Sequence, residues 1–136
     1  MQKMLGEDTA FTLCYLDLDG LKYVNDTYGH NEGDEYIRLF VSMIRHRFRS
    51  TDIFARVGGD EFCLILPECS SEFAMAKLES VRHSFSRAGG KDYPRSFSYG
   101  LAEVAGTGVK LTIDEVIHLA DNRMYEYKRK NKKERK

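Results

Sequence analysis

The apolar residues of this chain alternate in some stretches and recur at helical spacing in others, and the order of the two patterns predicts its elements. Phe11 to Asp17 reads as a strand, a short apolar run entered from a polar stretch, with Phe11, Leu13, Tyr15 and Asp17 sharing one face. Between Tyr36 and Phe48, the residues Ile37, Phe40, Val41, Ile44 and Phe48 form one buried helical stripe. Ile53–Val57 and Phe62–Leu66 are β-prone segments flanking Gly58-Gly59-Asp60-Glu61, a hairpin whose paired glycines are expected to supply positive φ. Pro67 ends its second strand. A helix follows, with Ala74, Leu78, Val81 and Phe85 inward and Gly89-Gly90 as its stop. Ser96–Ala102 alternates through Phe97, Tyr99 and Leu101 as a strand. The last helix is predicted to start near Thr112, an N-cap matched by Glu115, and to turn Val116, Leu119, Ala120, Met124 and Tyr127 inward before the basic tail Lys128–Lys136.

The predicted order is strand, helix, helix, strand, strand, helix, strand, helix. It implies an α+β fold, a central antiparallel or mixed sheet of ferredoxin-like, palm-type layout with helices on one side. With 136 residues, no repeat and no linker, the whole span 1–136 reads as a single domain.

Charge narrows the partners. Lys plus Arg equals Asp plus Glu at 21 each, so no overall field favours nucleic acid or a membrane surface. A phosphate-rich substrate would need local cations and a metal. The basic tail reads as a frayed, solvated helix end. Three cysteines without a CxxC pair, Cys14, Cys63 and Cys69, suit a reducing compartment, and the absence of a signal layout or a ~20-residue apolar run points to the cytoplasm. His46, His83 and His118 have no companion ligands in the pattern and read as surface or satisfied helix residues.

Three stretches carry candidate chemistry. Asp17-Leu18-Asp19-Gly20-Leu21-Lys22 ends a strand in alternating acids, with a glycine where backbone can approach a ligand. Hard Mg²⁺ takes one or two carboxylates plus phosphate oxygens and water. Alone, the stretch also fits solvated acids in a strand-to-helix loop. In Gly58-Gly59-Asp60-Glu61-Phe62 the glycines clear space for a ligand, and Asp60 could share a metal with Asp17; a plain polar turn is the competing reading. In Asn25-Asp26-x-Tyr28-Gly29-His30-x-x-Gly33-Asp34, a carboxylate can accept from guanine N1–H and its exocyclic amine, which adenine cannot match. Helix capping by Asn31 or Asp34 is the alternative there.

Together these blocks resemble the GGDEF diguanylate cyclases. The resemblance rests on Asp17-Leu-Asp-Gly-Leu-Lys22, Asn25-Asp-x-Tyr-Gly-His30-x-x-Gly-Asp34 and Arg56-Val-Gly-Gly-Asp-Glu-Phe62. Ser98-Tyr-Gly-Leu-Ala102 and Ala120-Asp-x-x-Met-Tyr-x-x-Lys128 extend it over nearly the whole chain. It implies synthesis of cyclic di-GMP from two GTP with release of pyrophosphate, by attack of a 3′-hydroxyl on an α-phosphate across a domain homodimer. It implies Mg²⁺, with Mn²⁺ as a substitute, held by Asp17, the Leu18 carbonyl and Asp60, and Glu61 in a second-metal or supporting role. Asn25 and Asp34 would hold guanine with His30 nearby. Lys22, Lys128 and Lys132 would meet phosphate charge, and Asp60 would be the candidate general base. Arg49-Ser-Thr-Asp52 resembles the family's RxxD site, so Arg49 and Asp52 would bind product and impose feedback inhibition.

The chain departs from the family pattern in places. Gly20-Leu21 replaces a bulkier pair, Tyr127 stands where a small residue is usual, and Asn131-Lys132 replaces Gly-Arg, leaving a point charge where a forked guanidinium is expected. The family's Asp-x-Leu-Thr-Gly-Leu stretch before the first strand is missing, which implies a domain excised from a longer protein with an N-terminal sensory or dimerising region. Two further readings stand beside the enzyme: a catalytically inactive module that binds GTP or cyclic di-GMP, and a palm-like nucleotidyl transferase with another substrate.

Overall fold

The structure, a computed structural model, describes residues 10–88, 95–104 and 112–134, with the side chains of the last stretch described to residue 130. Its elements are β1 (Phe11–Asp19), α1 (Leu21–Tyr28), α2 (His30–Arg47), β2 (Ile53–Arg56), β3 (Glu61–Pro67), α3 (Ser71–Arg87), β4 (Ser96–Val104) and α4 (Ile113–Glu134). The strands form one sheet in the order β2-β3-β1-β4. Every neighbouring pair is antiparallel. Inserting β3 between β1 and β2 makes the split βαβ arrangement of a ferredoxin-like fold.

Helices cover both faces of this sheet, not one. The reason lies in β1, where the residues between those of the expected face are apolar too. Phe11 and Leu13 enter one core with Cys63, Ile65, Val116 and Ala120, so α4 lies over that face. Cys14, Leu16 and Leu18 enter a larger core with Val24, Tyr36, Phe40, Leu78 and Phe85, which belong to α1, α2 and α3. A strand apolar on both sides must be buried on both sides. Phe40 lies against the rings of Phe62 and Phe97, at centroid distances of 5.0 and 5.1 Å, and locks α2 to the sheet.

Several boundaries differ from the periodic reading. α2 begins at His30, and its buried stripe is Gly33, Tyr36, Phe40 and Ile44. Ile37 and Val41 are only half-buried, and Phe48 lies just past the helix. A polar first turn and a glycine hid the start of this helix from the hydrophobic pattern. Leu119 is exposed on α4, because the helix rests on the sheet through the narrower line Val116, Ala120 and Met124. Gly89-Gly90, the expected stop of α3, lie outside the described residues.

The predicted cap of α4 is present. Thr112 Oγ1 accepts from the Glu115 amide at 3.1 Å, and the Glu115 carboxylate accepts from the Thr112 amide at 3.1 Å. Among the described residues, no helix is long and apolar enough to cross a membrane.

Candidate active site

The sheet brings the two acidic stretches to one place. Asp17 on β1 lies directly opposite Glu61 on β3. The Leu18 amide donates to the Asp60 carbonyl at 2.8 Å, tying the β2–β3 turn to the end of β1. As a result, carboxylate oxygens of Asp17, Asp60 and Glu61 all lie within 4.8 Å of one another. Neither acidic motif would show this on its own, since the two are separated by most of the βαβ unit.

Three carboxylates so close repel, and the structure offsets only part of that repulsion. Lys128, reaching from α4, donates to Asp17 Oδ2 at 2.7 Å. Asp17 is buried, and its other oxygen, Oδ1, has no hydrogen-bond partner among the described residues. Burial pushes the Asp17 carboxyl up to about 6; the Lys128 ammonium works against that rise, and the neighbouring Asp60 adds to it. Burial disfavours the Lys128 charge, but the Asp17 carboxylate outweighs it and holds that ammonium above its usual value. An orphaned buried acceptor among converging carboxylates is what a cation would satisfy. The donor set is all oxygen and anionic, which fits a hard divalent ion such as Mg²⁺ or Mn²⁺ better than a soft one.

The turn that carries Asp60 is held from both ends. The amides of Val57 and Gly58 both donate to the Glu61 carbonyl, at 2.9 and 3.2 Å. Arg56 donates from Nε to the Gly58 carbonyl at 3.1 Å and from Nη2 to the Gly59 carbonyl at 2.5 Å. The glycine pair does not work as the sequence suggested. Positive φ among the described glycines occurs at Gly20 and Gly29, not at Gly58 or Gly59. What these two offer is space: a Cβ on Gly59 would meet nothing within 4 Å, and one on Gly58 would touch the Glu61 carboxylate at 3.4 Å.

The second acid of the first motif is turned elsewhere. Asp19 Oδ1 accepts from Ser98 Oγ at 2.8 Å, and its carbonyl accepts from the Tyr36 hydroxyl at 2.5 Å. These bonds anchor the end of β1 to β4 and α2. Ser98 entered the sequence pattern only as part of the Ser98–Ala102 block and Tyr36 only at the edge of a helical stripe, and neither was assigned this role.

Lys22 is exposed on the first turn of α1, while His30 and Asp34 are exposed on the first turns of α2. Being four residues apart, His30 and Asp34 lie on one face. Asn25 is half-buried at the corner between α1 and α2. A Cβ on Gly33 would fall 1.7 Å from Asn25 Oδ1, so the Asn25 amide lies directly on the backbone that precedes Asp34. Neither Asn31 nor Asp34 caps a helix: Gly29 both ends α1 and starts α2, with φ 93° and no side-chain cap. Capping therefore does not account for these residues. Lys132 falls in the last turns of α4, where side chains lie outside the described residues.

Arg49 and Asp52 stand apart from the acidic cluster. Arg49 Nη2 donates to the Pro67 carbonyl at 2.9 Å, at the end of β3 opposite Glu61. Six residues of strand separate those ends, about 20 Å. The Asp52 carboxylate is turned inward, its side chain 3% exposed, and accepts from the Arg49 amide at 2.8 Å and the Arg49 guanidinium at 3.2 Å. The two residues border a cavity of about 380 Å³ with Ile44, Phe48, Phe54 and Leu64 in its wall.

Comparison with known proteins places this geometry. The family model for the diguanylate cyclase GGDEF domain matches residues 1–134. Diguanylate cyclase DosC of Escherichia coli (strain K12) is 33% identical over 129 residues, covering 91% of this chain and 27% of its own length. Diguanylate cyclase DgcM of the same organism is 32% identical over 119 residues, covering 87% and 28%. The chain thus spans less than a third of the length of either relative. Among solved structures, the GGDEF domain of DgcB from Caulobacter crescentus, in complex with c-di-GMP, aligns with a TM-score of 0.81 at 30% identity over 94% of this chain and 77% of that one. Diguanylate cyclase SiaD from Pseudomonas aeruginosa, in complex with its activator SiaC, aligns with a TM-score of 0.77 at 31% identity over 89% of this chain and 47% of that one. With the family model matched over residues 1–134 and the same fold in a solved GGDEF domain, the chain belongs to the GGDEF diguanylate cyclase family.

Proposed function

We propose that this domain synthesises cyclic di-GMP: two GTP molecules, one on each of two facing domains, condense with release of two pyrophosphates. The observation that carries the reading is the convergence of Asp17, Asp60 and Glu61 beside Lys128, with one buried Asp17 oxygen left without a partner. A divalent ion bound there would neutralise phosphate charge and acidify the attacking hydroxyl. Asp17, the Leu18 carbonyl and Asp60 would hold it, with Glu61 alongside.

In each of two successive attacks, a ribose 3′-oxygen forms a bond to the α-phosphorus of the opposite GTP as the bond to pyrophosphate breaks. Asp60 takes the hydroxyl proton. Lys22 and Lys128 balance the charge on the triphosphate, and phosphate oxygens compete with Asp17 for the Lys128 ammonium. Asn25 and Asp34 hold the guanine edge, with His30 beside them. The rest of the catalysis is positioning, which one domain cannot complete alone. Turnover therefore needs a homodimer, and in the full protein a preceding region would bring the domains together in the cytoplasm.

Arg49 and Asp52, at the mouth of their cavity, form the product site of this reading. A guanidinium whose neighbouring carboxylate already orients it suits phosphate or guanine acceptors.

One experiment tests the whole reading. An artificially dimerised protein incubated with GTP and Mg²⁺ is expected to yield cyclic di-GMP at a rate that falls as product accumulates, and the fall should vanish in R49A. GTP binding without product would mean a binding module instead of an enzyme.

Gly33 provides a sharper check on the guanine contact. In G33A the atoms nearest the new methyl group all belong to the Asn25 side-chain amide, so that amide is expected to be displaced while the helix corner survives. A hydrogen bond bent or lost there costs about 1 kcal/mol, so KM for GTP is expected to rise roughly five- to tenfold, with the melting temperature nearly unchanged. An unaltered KM would remove Asn25 from the guanine site.

A further inference from the structure

Glu61 is the least restrained member of the acidic cluster by sequence, yet the fold holds it. Tyr15 lies two residues before Asp17 on the same face of β1, and Asp17 is the cross-strand partner of Glu61. Tyr15 is therefore the diagonal neighbour of Glu61, within reach of a long side chain. Its hydroxyl donates to Glu61 Oε1 at 3.0 Å. Its half-buried ring packs against the smaller core under α4, which restrains where the hydroxyl can lie. Gly58 also borders this carboxylate, since a Cβ there would touch it at 3.4 Å, an ordinary contact.

We propose that Tyr15 is a positioning residue that fixes the Glu61 carboxylate for cation binding, engaging one oxygen and leaving the other for the ion shared with Asp17 and Asp60. The inference rests on the metal-dependent reading above and adds to it a residue from outside the acidic motifs. A glutamate free to sample its rotamers loses side-chain entropy on being ordered, and a tyrosine that orders it beforehand removes part of that cost at the moment of binding. Partners that orient metal-ligating carboxylates are commonly worth about 10- to 100-fold in metal affinity.

The test is Mn²⁺ titration followed by electron paramagnetic resonance, with a non-hydrolysable GTP analogue present, on wild type, Y15F, E61Q and the double variant. Y15F removes only the hydroxyl and keeps the ring. It is expected to weaken Mn²⁺ binding about tenfold while leaving the melting temperature in chelator unchanged, and to cause no further loss in the E61Q background. Equal Mn²⁺ affinity in wild type and Y15F overturns the proposal. So does an equal loss with and without Glu61, which would mean that Tyr15 acts on the fold and not through this carboxylate. A wild-type protein that binds no Mn²⁺ at all sinks the metal reading itself, a result distinct from either.

Discussion

Replacing Asp60 by asparagine is expected to abolish the proposed synthesis of cyclic di-GMP, with kcat falling by about a thousandfold or more, while the protein folds as before. A general base contributes roughly 10²- to 10⁴-fold, and Asp60 also supplies one of the three clustered carboxylates. The fold has no need of that charge. Asp60 holds the end of β1 through its backbone carbonyl, which the substitution leaves alone. Its side chain raises the Asp17 carboxyl value, so losing the charge relieves a repulsion instead of creating one. Turnover assays paired with thermal melts in chelator separate the two effects. Substantial activity in D60N would remove Asp60 from its assigned role, and a collapsed melt would show that the turn depends on the carboxylate.

A single methyl group at Gly100 should do more damage than any change in the acidic cluster. Gly100 sits on β4 opposite Tyr15, where α4 crosses the sheet. A Cβ there would fall 2.1 Å from the Ala120 carbonyl oxygen and 2.1 Å from the Met124 amide nitrogen. Both are backbone atoms of a helix, so neither can rotate away, and α4 as a whole must lift off. That helix carries Val116 and Ala120 into the smaller core, and Arg123 donates to the Leu101 carbonyl at 2.6 Å. Overpacking of this kind costs about 3 kcal/mol or more, a large share of the stability of an ordinary domain. G100A is therefore expected to shift the urea midpoint sharply downward or to prevent folding. Whatever folds should also lose activity, because Lys128 lies one turn beyond Met124 and is carried away from Asp17. A midpoint equal to wild type would show that α4 does not lie this close to β4.

Gly100 and Tyr15 have something in common: local pattern does not show what either one does. In the sequence, Gly100 is one small residue inside an alternating strand, and Tyr15 is one more member of an apolar face. Their importance appears only when β1, β4 and α4 are in contact. Asp52 shows the reverse, since its motif marks it as a ligand for product while the fold also spends its carboxylate on Arg49.

What the sequence by itself determined was the order of the elements and the identity of the chemical groups. Alternation and helical spacing place the four strands of the described residues, the hairpin turn and the Thr112 cap, because these depend on which neighbours along the chain are apolar or can bond locally. The motif residues Asp17, Asp60, Glu61, Asn25 and Asp34 were legible for the same reason, as residue types at set spacings. Tertiary structure decided the rest. Only the pairing of β1 with β3 sets Asp17 against Glu61, and only the two-sided burial of β1 calls helices to both faces. Only close packing between elements explains Gly33, which lies against the Asn25 side chain, and Gly100, which lies against the backbone of α4. Contacts between residues far apart in the chain leave no period and no spacing behind, so they can be read in the fold alone.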